Sequence, residues 1–325
     1  MKRVEISGPG GPEVLQISDA AVPEFGESEV LIAVKAAGVN RPDILQRQGK
    51  YPMPAGVTPV PGLEVAGVVQ AVGNKVTRFA PGDRVCALTN GGGYAEFCAV
   101  PDGQVLPIPQ GLSFVQAAAL PETFFTVWAN LFEMGRASEK DVVLIHGGAS
   151  GIGTTALSLC AAMGIKAFCT VGSDDKIAPL SPFGEAINYK TSNFEEEILA
   201  RTGDEGVDVI LDIVGGSYFN QNLRLLRRDG RLVLLGFMGG RFVEQFDIQE
   251  LMLKRAVVTG STMRGRTAAE KQQIAAALEA RVWPLIAAGK CEPIIYRTFP
   301  FAEVASAQDA LDRGDHIGKV VLTLE

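Results

Sequence analysis

Short apolar runs rich in β-branched residues recur through the middle of the chain, and each is followed by a stretch of good helix formers. The runs at 141–146, 166–171, 207–213, 231–236 and 256–261 predict strands, and the segments near 152–163, 193–202, 217–228 and 247–254 predict helices between them. Strands alternating with helices in this way build a doubly wound parallel sheet. Its central strands are covered on both faces, which explains why Val142 to Ile145 is continuously apolar instead of alternating. After the second strand, Pro179, Pro182 and Gly184 break what should be a longer helix. A helix near 267–288, interrupted at Pro284, and a last strand at 319–324 close the chain.

The pattern before about residue 120 is different. Short strands are punctuated by Gly10-Gly11-Pro12, Pro61-Gly62, Pro81-Gly82-Asp83 and Gly91-Gly92-Gly93, with little helical period. Glu29 to Ala36 and Leu63 to Val72 are the clearest of them, so this part reads as a β-rich domain.

Length and composition then bound the class. A chain of 325 residues suits two domains, and 47% hydrophobic with 21% charged residues gives ample burial and little scope for disorder. The start, a strand and a turn, lacks a signal-peptide core, and no apolar run approaches membrane-spanning length, so a cytoplasmic location is expected. The net charge of −7 argues against a nucleic-acid partner, and any anion must be held by local groups. Five cysteines without a C-x-x-C pair suggest neither a disulfide framework nor a zinc cluster.

The richest chemistry lies where the first predicted strand of the α/β region runs into its helix. His146-Gly147-Gly148-Ala149-Ser150-Gly151-Ile152-Gly153 approaches G-x-G-x-x-G, with Ser150 in place of the middle glycine. Such a turn lets a backbone approach a pyrophosphate, and the free amides of the helix start face the anion. On the motif alone a structural turn and a cofactor site are equally good readings. The second strand at 166–171 completes a βαβ unit of the right span, which favours the cofactor.

Several ordered blocks together resemble the medium-chain dehydrogenase/reductase superfamily, and within it the zinc-free quinone oxidoreductases, closest to the p53-inducible type. They include Ala37-Gly38-Val39-Asn40-Arg41-Pro42-Asp43, Gln46-Arg47-Gln48-Gly49-Lys50-Tyr51, Pro61-Gly62-Leu63-Glu64, Gly91 to Glu96, Leu120-Pro121-Glu122-Thr123, Asn188-Tyr189-Lys190, Leu235 to Gly239 and Ile317-Gly318-Lys319. The resemblance implies an α/β protein with a GroES-like β-rich catalytic domain over residues 1–122, completed by 264–325, and a doubly wound Rossmann NADPH-binding domain over 123–263. Zinc enzymes of the superfamily place a cysteine where Asn40 stands and a histidine where Leu63 stands, and only two histidines exist in the chain. No metal is therefore expected, and without a Lewis acid the reduction of an already activated acceptor is favoured.

The resemblance also implies site residues. Asn40 and Tyr51 are candidate polar contacts to the acceptor or nicotinamide, and Thr126 faces the nicotinamide; from the residues alone they read as a turn residue, a half-buried packing residue and a helix-core residue. Gly148, Ser150, Gly151, Ile152 and Gly153 are expected at the pyrophosphate, and Gly172, Ser173, Lys176 and Tyr189 at the 2′-phosphate of NADPH. Gly236, Phe237, Met238, Gly239, Met263, Arg264 and Lys319 complete the expected cofactor contacts. His146 reads as a satisfied structural histidine and His316 as a surface residue. No tyrosine has a lysine four positions on, which removes the dyad mechanism of short-chain reductases. The implied activity is NADPH-dependent reduction of a quinone or conjugated carbonyl by a homodimer. An enoyl or enone reductase of the same fold, or a cofactor-binding protein with little turnover, are the rival readings.

Overall fold

The computed structural model describes residues 1–324. The chain forms two compact units, Met1–Phe125 with Arg264–Glu325, and Thr126–Met263.

In the first unit, a seven-stranded sheet runs in the order Ile295–Pro300, Lys319–Thr323, Glu29–Val39, Glu64–Val72, Arg84–Leu88 and Val105–Pro107, with Phe97–Pro101 also paired to Glu29–Val39. Lys2–Ile6 and Leu15–Asp19 form a separate hairpin-like pair. Val30, Ile32, Val65, Val69, Val85, Val100, Val320 and Leu322 fill the core. The final strand pairs antiparallel with the Glu29–Val39 strand, Val320 opposite Val39. That register brings Lys319 beside Asn40, 279 residues away in sequence. Both chain ends therefore build the β-rich unit.

The little helical period of the N-terminal region hides one helix that matters, Arg41–Arg47, which starts directly after Asn40. Arg41-Pro42 occupies its first turn, where proline's missing N–H costs nothing. The helix expected near 267–288 is two, Ala268–Arg281 and Trp283–Ala287, with Pro284 in the first turn of the second. Ile295–Pro300 and a helix at Val304–Arg313 were not foreshadowed by the apolar pattern.

The second unit is a six-stranded parallel sheet in the order Glu185–Asn188, Lys166–Val171, Val142–Ile145, Val207–Asp212, Leu226–Leu234 and Val257–Gly260. Helices Gly151–Ala162, Phe194–Thr202, Phe219–Leu225 and Ile248–Lys254 alternate with the strands, matching the expected pattern within a few residues. Leu144, Phe168, Ile187, Ile198, Ile210, Leu223 and Leu232 make its core. The edge strand Glu185–Asn188 is an addition: with four residues after a proline-rich stretch, its apolar signal is too short to separate from a loop. No helix among the described residues is long and apolar enough to cross a membrane. All five cysteines are free and buried.

Candidate active site

In the second unit the glycine-rich turn is held from three sides. Gly147 takes the left-handed backbone conformation, with φ of 72°, that an L side chain resists. Ser150, the residue that departs from the motif, caps the helix: its Oγ accepts from Gly153 N at 3.0 Å and donates to Gly147 O at 2.8 Å. A Cβ on Gly153 would lie 2.2 Å from Gly147 O, so this position requires glycine for close packing of turn against helix. Gly151 and Ile152 stay partly exposed at the helix start.

Beneath the turn runs a buried polar chain. His146 Nε2 lies 2.7 Å from Asn222 Oδ1, and the Asn222 amide donates to Asp212 Oδ2 at 3.1 Å. Because the amide nitrogen faces the carboxylate, its oxygen accepts, which puts the imidazole proton on Nε2. His146 Nδ1 is then the acceptor for the Thr170 hydroxyl at 3.1 Å, and Thr170 Oγ1 in turn accepts from Gly147 N at 3.2 Å. Burial pushes the His146 pKa below its usual value, with the Asp212 charge opposing it. A neutral, doubly satisfied imidazole is a support for the turn and not an acid.

The residues that the sequence points to for a 2′-phosphate stand at the end of the second strand. A Cβ on Gly172 would lie 3.1 Å from the Tyr189 hydroxyl, so glycine leaves a space under that hydroxyl. Ser173 and Tyr189 are accessible, whereas Lys176 is buried, with 9% exposure, instead of standing out as a solvated helix residue. Asp174 and Asp175 point to solvent, and Asp174 accepts from Asn188 Nδ2 at 2.7 Å. Across the sheet, Met238 N and Gly239 N donate to Ile213 O and Val214 O, which joins the Gly236 to Gly239 loop to the end of the Val207–Asp212 strand. Phe237 and Met238 are largely exposed and Met263 is buried. Thr126 is 8% exposed, and its hydroxyl has no hydrogen-bond partner among the described residues. A buried polar atom left unpaired in this way is unusual and fits one kept for a ligand.

The first unit holds a second polar site around Asn40. Its carboxamide is used at both ends: Oδ1 accepts from Lys319 Nζ at 2.5 Å, and Nδ2 donates to Glu64 Oε1 at 2.9 Å. Lys319 and Glu64 also pair directly at 2.6 Å, with side chains 4% and 0% exposed, which closes a three-membered ring. Glu64 Oε2 accepts from Glu122 N at 2.9 Å. Asp43 accepts from Asn40 N, Gly62 N and the Tyr94 hydroxyl, at 2.9, 3.0 and 3.0 Å. Burial raises the Asp43 pKa to about 6 against these donors. Lys319, which the sequence suggests as a cofactor contact, thus has its ammonium committed inside the unit.

Tyr51 is half-buried and its ring lies under the Arg264 guanidinium, 5.2 Å from the ring centre. Arg264 also donates to Gln46 Oε1 at 3.0 Å and Asn90 O at 2.9 Å. Lys271 Nζ reaches Asn90 Oδ1 at 2.5 Å, and burial brings its pKa down to about 8. Sequence reading gave Asp43, Tyr94, Glu122 and Lys271 no role, because polar and charged residues scattered from position 43 to position 271 carry no common period. Among the described residues no three His, Cys, Asp or Glu side chains are grouped to hold a metal ion. The side chains on offer here, an amide clamped by an ammonium and a leucine at 63, do not suit zinc.

Two family models match the chain: the alcohol dehydrogenase GroES-like domain over residues 26–110 and the zinc-binding dehydrogenase over residues 151–280. Quinone oxidoreductase of Rattus norvegicus is 34% identical over 329 residues, covering 100% of this chain and 98% of the relative. Among solved structures, Escherichia coli quinone oxidoreductase complexed with NADPH superposes with a TM-score of 0.87 at 29% identity, covering 100% of both chains. The enoyl reductase CurK gives a TM-score of 0.85 at 28% identity, covering 100% of this chain and 99% of its own.

Proposed function

Because the chain belongs to the quinone oxidoreductases of the medium-chain dehydrogenase/reductase superfamily, we propose that it reduces quinones and related conjugated carbonyls by hydride transfer from NADPH, without zinc. The Asn40–Lys319–Glu64 ring carries this reading. Where a metal ligand would have to stand, the strand end presents an amide held by an internal ion pair. Negative charge arriving on the substrate must then be spread by the substrate itself, which a quinone does and a simple ketone does not.

A nicotinamide cofactor, when bound, supplies the hydride. The chain supplies the cradle: the Ser150-capped turn with Gly148, Gly151, Ile152 and Gly153 for the pyrophosphate, the Gly236 to Gly239 loop and Met263 alongside, and Thr126 for the nicotinamide. Asn40 and Tyr51 present the acceptor side, with Lys319 and Arg264 acting through the groups they hold. The reading is tested by following absorbance of the reduced cofactor with a panel of quinones and enoyl-CoA esters, with and without a metal chelator. Quinone turnover indifferent to chelation is the expected result. Preference for enoyl esters moves the reading to the enoyl reductases, chelator-sensitive activity with bound zinc defeats the metal-free mechanism, and no turnover with any acceptor leaves a binding role.

Preference for NADPH rests on Gly172, Ser173, Tyr189 and Lys176, with both neighbouring aspartates turned to solvent. A charge-assisted bond to phosphate is worth roughly 1.5–3 kcal/mol. Lys176→Ala is therefore expected to raise KM for NADPH about tenfold or more and to leave NADH nearly unchanged. Equal losses for the two cofactors would show that Lys176 does not meet the 2′-phosphate.

A cytoplasmic homodimer completes the proposal. Val257–Gly260 is an edge strand of the parallel sheet, and Val257 is 52% exposed. Phe242, Ile248, Met252 and Leu253, in the segment leading to it, are more exposed still. An open strand edge with apolar surroundings invites pairing with a second copy. Sedimentation at micromolar concentration should give twice the chain mass; a monomer there would defeat the dimer.

A further inference from the structure

The turn at Gly147 and the loop at Gly236–Gly240 follow different strands of the parallel sheet, and one buried polar chain runs between them. Asp212, Asn222 and His146 are fully buried, and Thr170 nearly so. At one end the Asp212 carboxylate accepts from Val214 N at 2.6 Å and from Gly215 N at 3.2 Å. The residues beside these amides hold the loop: Gly216 N donates to Gly240 O, and Gly239 N to Val214 O, both at 2.7 Å. At the other end Thr170 Oγ1 accepts from Gly147 N at 3.2 Å. Between the two ends stand Asn222, 3.1 Å from Asp212 Oδ2 and 2.7 Å from His146 Nε2, and the imidazole Nδ1, 3.1 Å from Thr170 Oγ1.

The chain has a direction, and Asp212 sets it. Both of its carboxylate oxygens accept N–H groups, so it gives no proton and fixes the Asn222 amide nitrogen toward itself. The Asn222 oxygen then faces His146 and takes the proton on Nε2, which leaves Nδ1 bare for the Thr170 hydroxyl proton. With that proton turned to the imidazole, Thr170 Oγ1 keeps a lone pair for Gly147 N. Each member is oriented by the one before it, and a buried network of this kind holds its geometry only while every member is satisfied.

Resting on the reading that this unit binds a nicotinamide cofactor, we propose that Asp212 is a positioning residue that joins the two cofactor loops into one element. It acts on the Gly147 turn through Asn222, His146 and Thr170, and on the Gly236–Gly240 loop through Val214 and Gly215. The pyrophosphate turn and the loop are then placed together or misplaced together.

Asp212→Asn keeps the shape and reverses the chain. Its amide oxygen stays with Val214 and Gly215, so its NH2 faces Asn222, which must turn over and present its own NH2 to His146 Nε2. The imidazole stays neutral but must carry its proton on Nδ1, and the Thr170 hydroxyl loses its acceptor. Nitrogen-15 NMR of the imidazoles, taken without cofactor, should show His146 protonated on Nε2 in wild type and on Nδ1 in Asp212→Asn. Only two histidines contribute signals.

Cofactor affinity, read from the fluorescence of bound NADPH and NADH, separates a linked chain from two independent supports. Asp212→Asn and Thr170→Val, which removes the hydroxyl at nearly constant shape, should each weaken both cofactors about tenfold, the scale of one buried hydrogen bond lost. The double variant should be hardly worse than either single one, because both cut the same chain. Thr170→Ser keeps the hydroxyl and should recover most of the Thr170→Val loss. Losses that multiply toward about a hundredfold, or a His146 proton on the same nitrogen in wild type and Asp212→Asn, overturn the proposal. If Asp212→Asn does not fold, the wild type and the Thr170 variants decide: Nδ1 protonated in wild type, or wild-type affinity in Thr170→Val, overturns it equally. Wild-type protein that binds neither cofactor defeats the cofactor reading, and the tautomer spectra then judge the direction of the chain by themselves.

Discussion

Lys319→Met is expected to destabilise the first unit by about 3–5 kcal/mol, the cost typical of stranding one member of a buried ion pair. Glu64 would lose its ammonium partner while shut off from water, and Asn40 Oδ1 would lose its donor. Screening offers no relief, because both partners are nearly inaccessible. For a unit of this size the loss corresponds to a fall of roughly 10 °C in melting temperature, read by scanning calorimetry. The double variant Lys319→Met with Glu64→Gln removes the stranded charge and should recover much of the loss. A single variant as stable as wild type would show that the pair does not exist in solution.

Gly153→Ala acts on the other unit and on function more than on folding. Its new methyl would meet Gly147 O at 2.2 Å and Gly148 Cα at 2.6 Å, both backbone atoms that cannot swing away. The turn must lift from the helix start, which breaks the Ser150 cap and shifts the amides that face the pyrophosphate. Overpacking of this kind costs roughly 1–3 kcal/mol. A displacement near 1 Å in a positioned group can reduce rate about a hundredfold. Both NADPH and NADH should suffer, with kcat/KM down by one to two orders of magnitude, in contrast to the selective loss expected of Lys176→Ala. A variant with wild-type kinetics would mean that the turn does not hold the cofactor.

What could be read from the sequence followed local chemistry. Five of the six strands of the parallel sheet announced themselves as β-branched runs, and the Gly148 to Gly153 turn as glycines between a strand and a helix, because each of these depends on neighbours in the chain. Gly147, the residue with the left-handed conformation, adjoins the motif and was found only by its backbone angle. The first unit was harder. Arg41–Arg47 is a seven-residue helix, too brief for a periodic signal, yet it places Asp43 under Asn40. Lys319 and Asn40 meet through antiparallel register between the ends of two strands, and nothing local tells a lysine at a strand start that it will be buried against an amide.

The burial of all five thiols has a consequence for chemical durability. Conjugated carbonyls are soft electrophiles that arylate thiolates, and the thiolate is the reactive form. Desolvation raises the Cys86 thiol beyond the ordinary range and pushes Cys98, Cys160 and Cys169 up to about 12, so almost none of these sulfurs is ionised at neutral pH. A catalyst of the proposed quinone reduction would meet such electrophiles at every turnover, and its thiols are buried away from them.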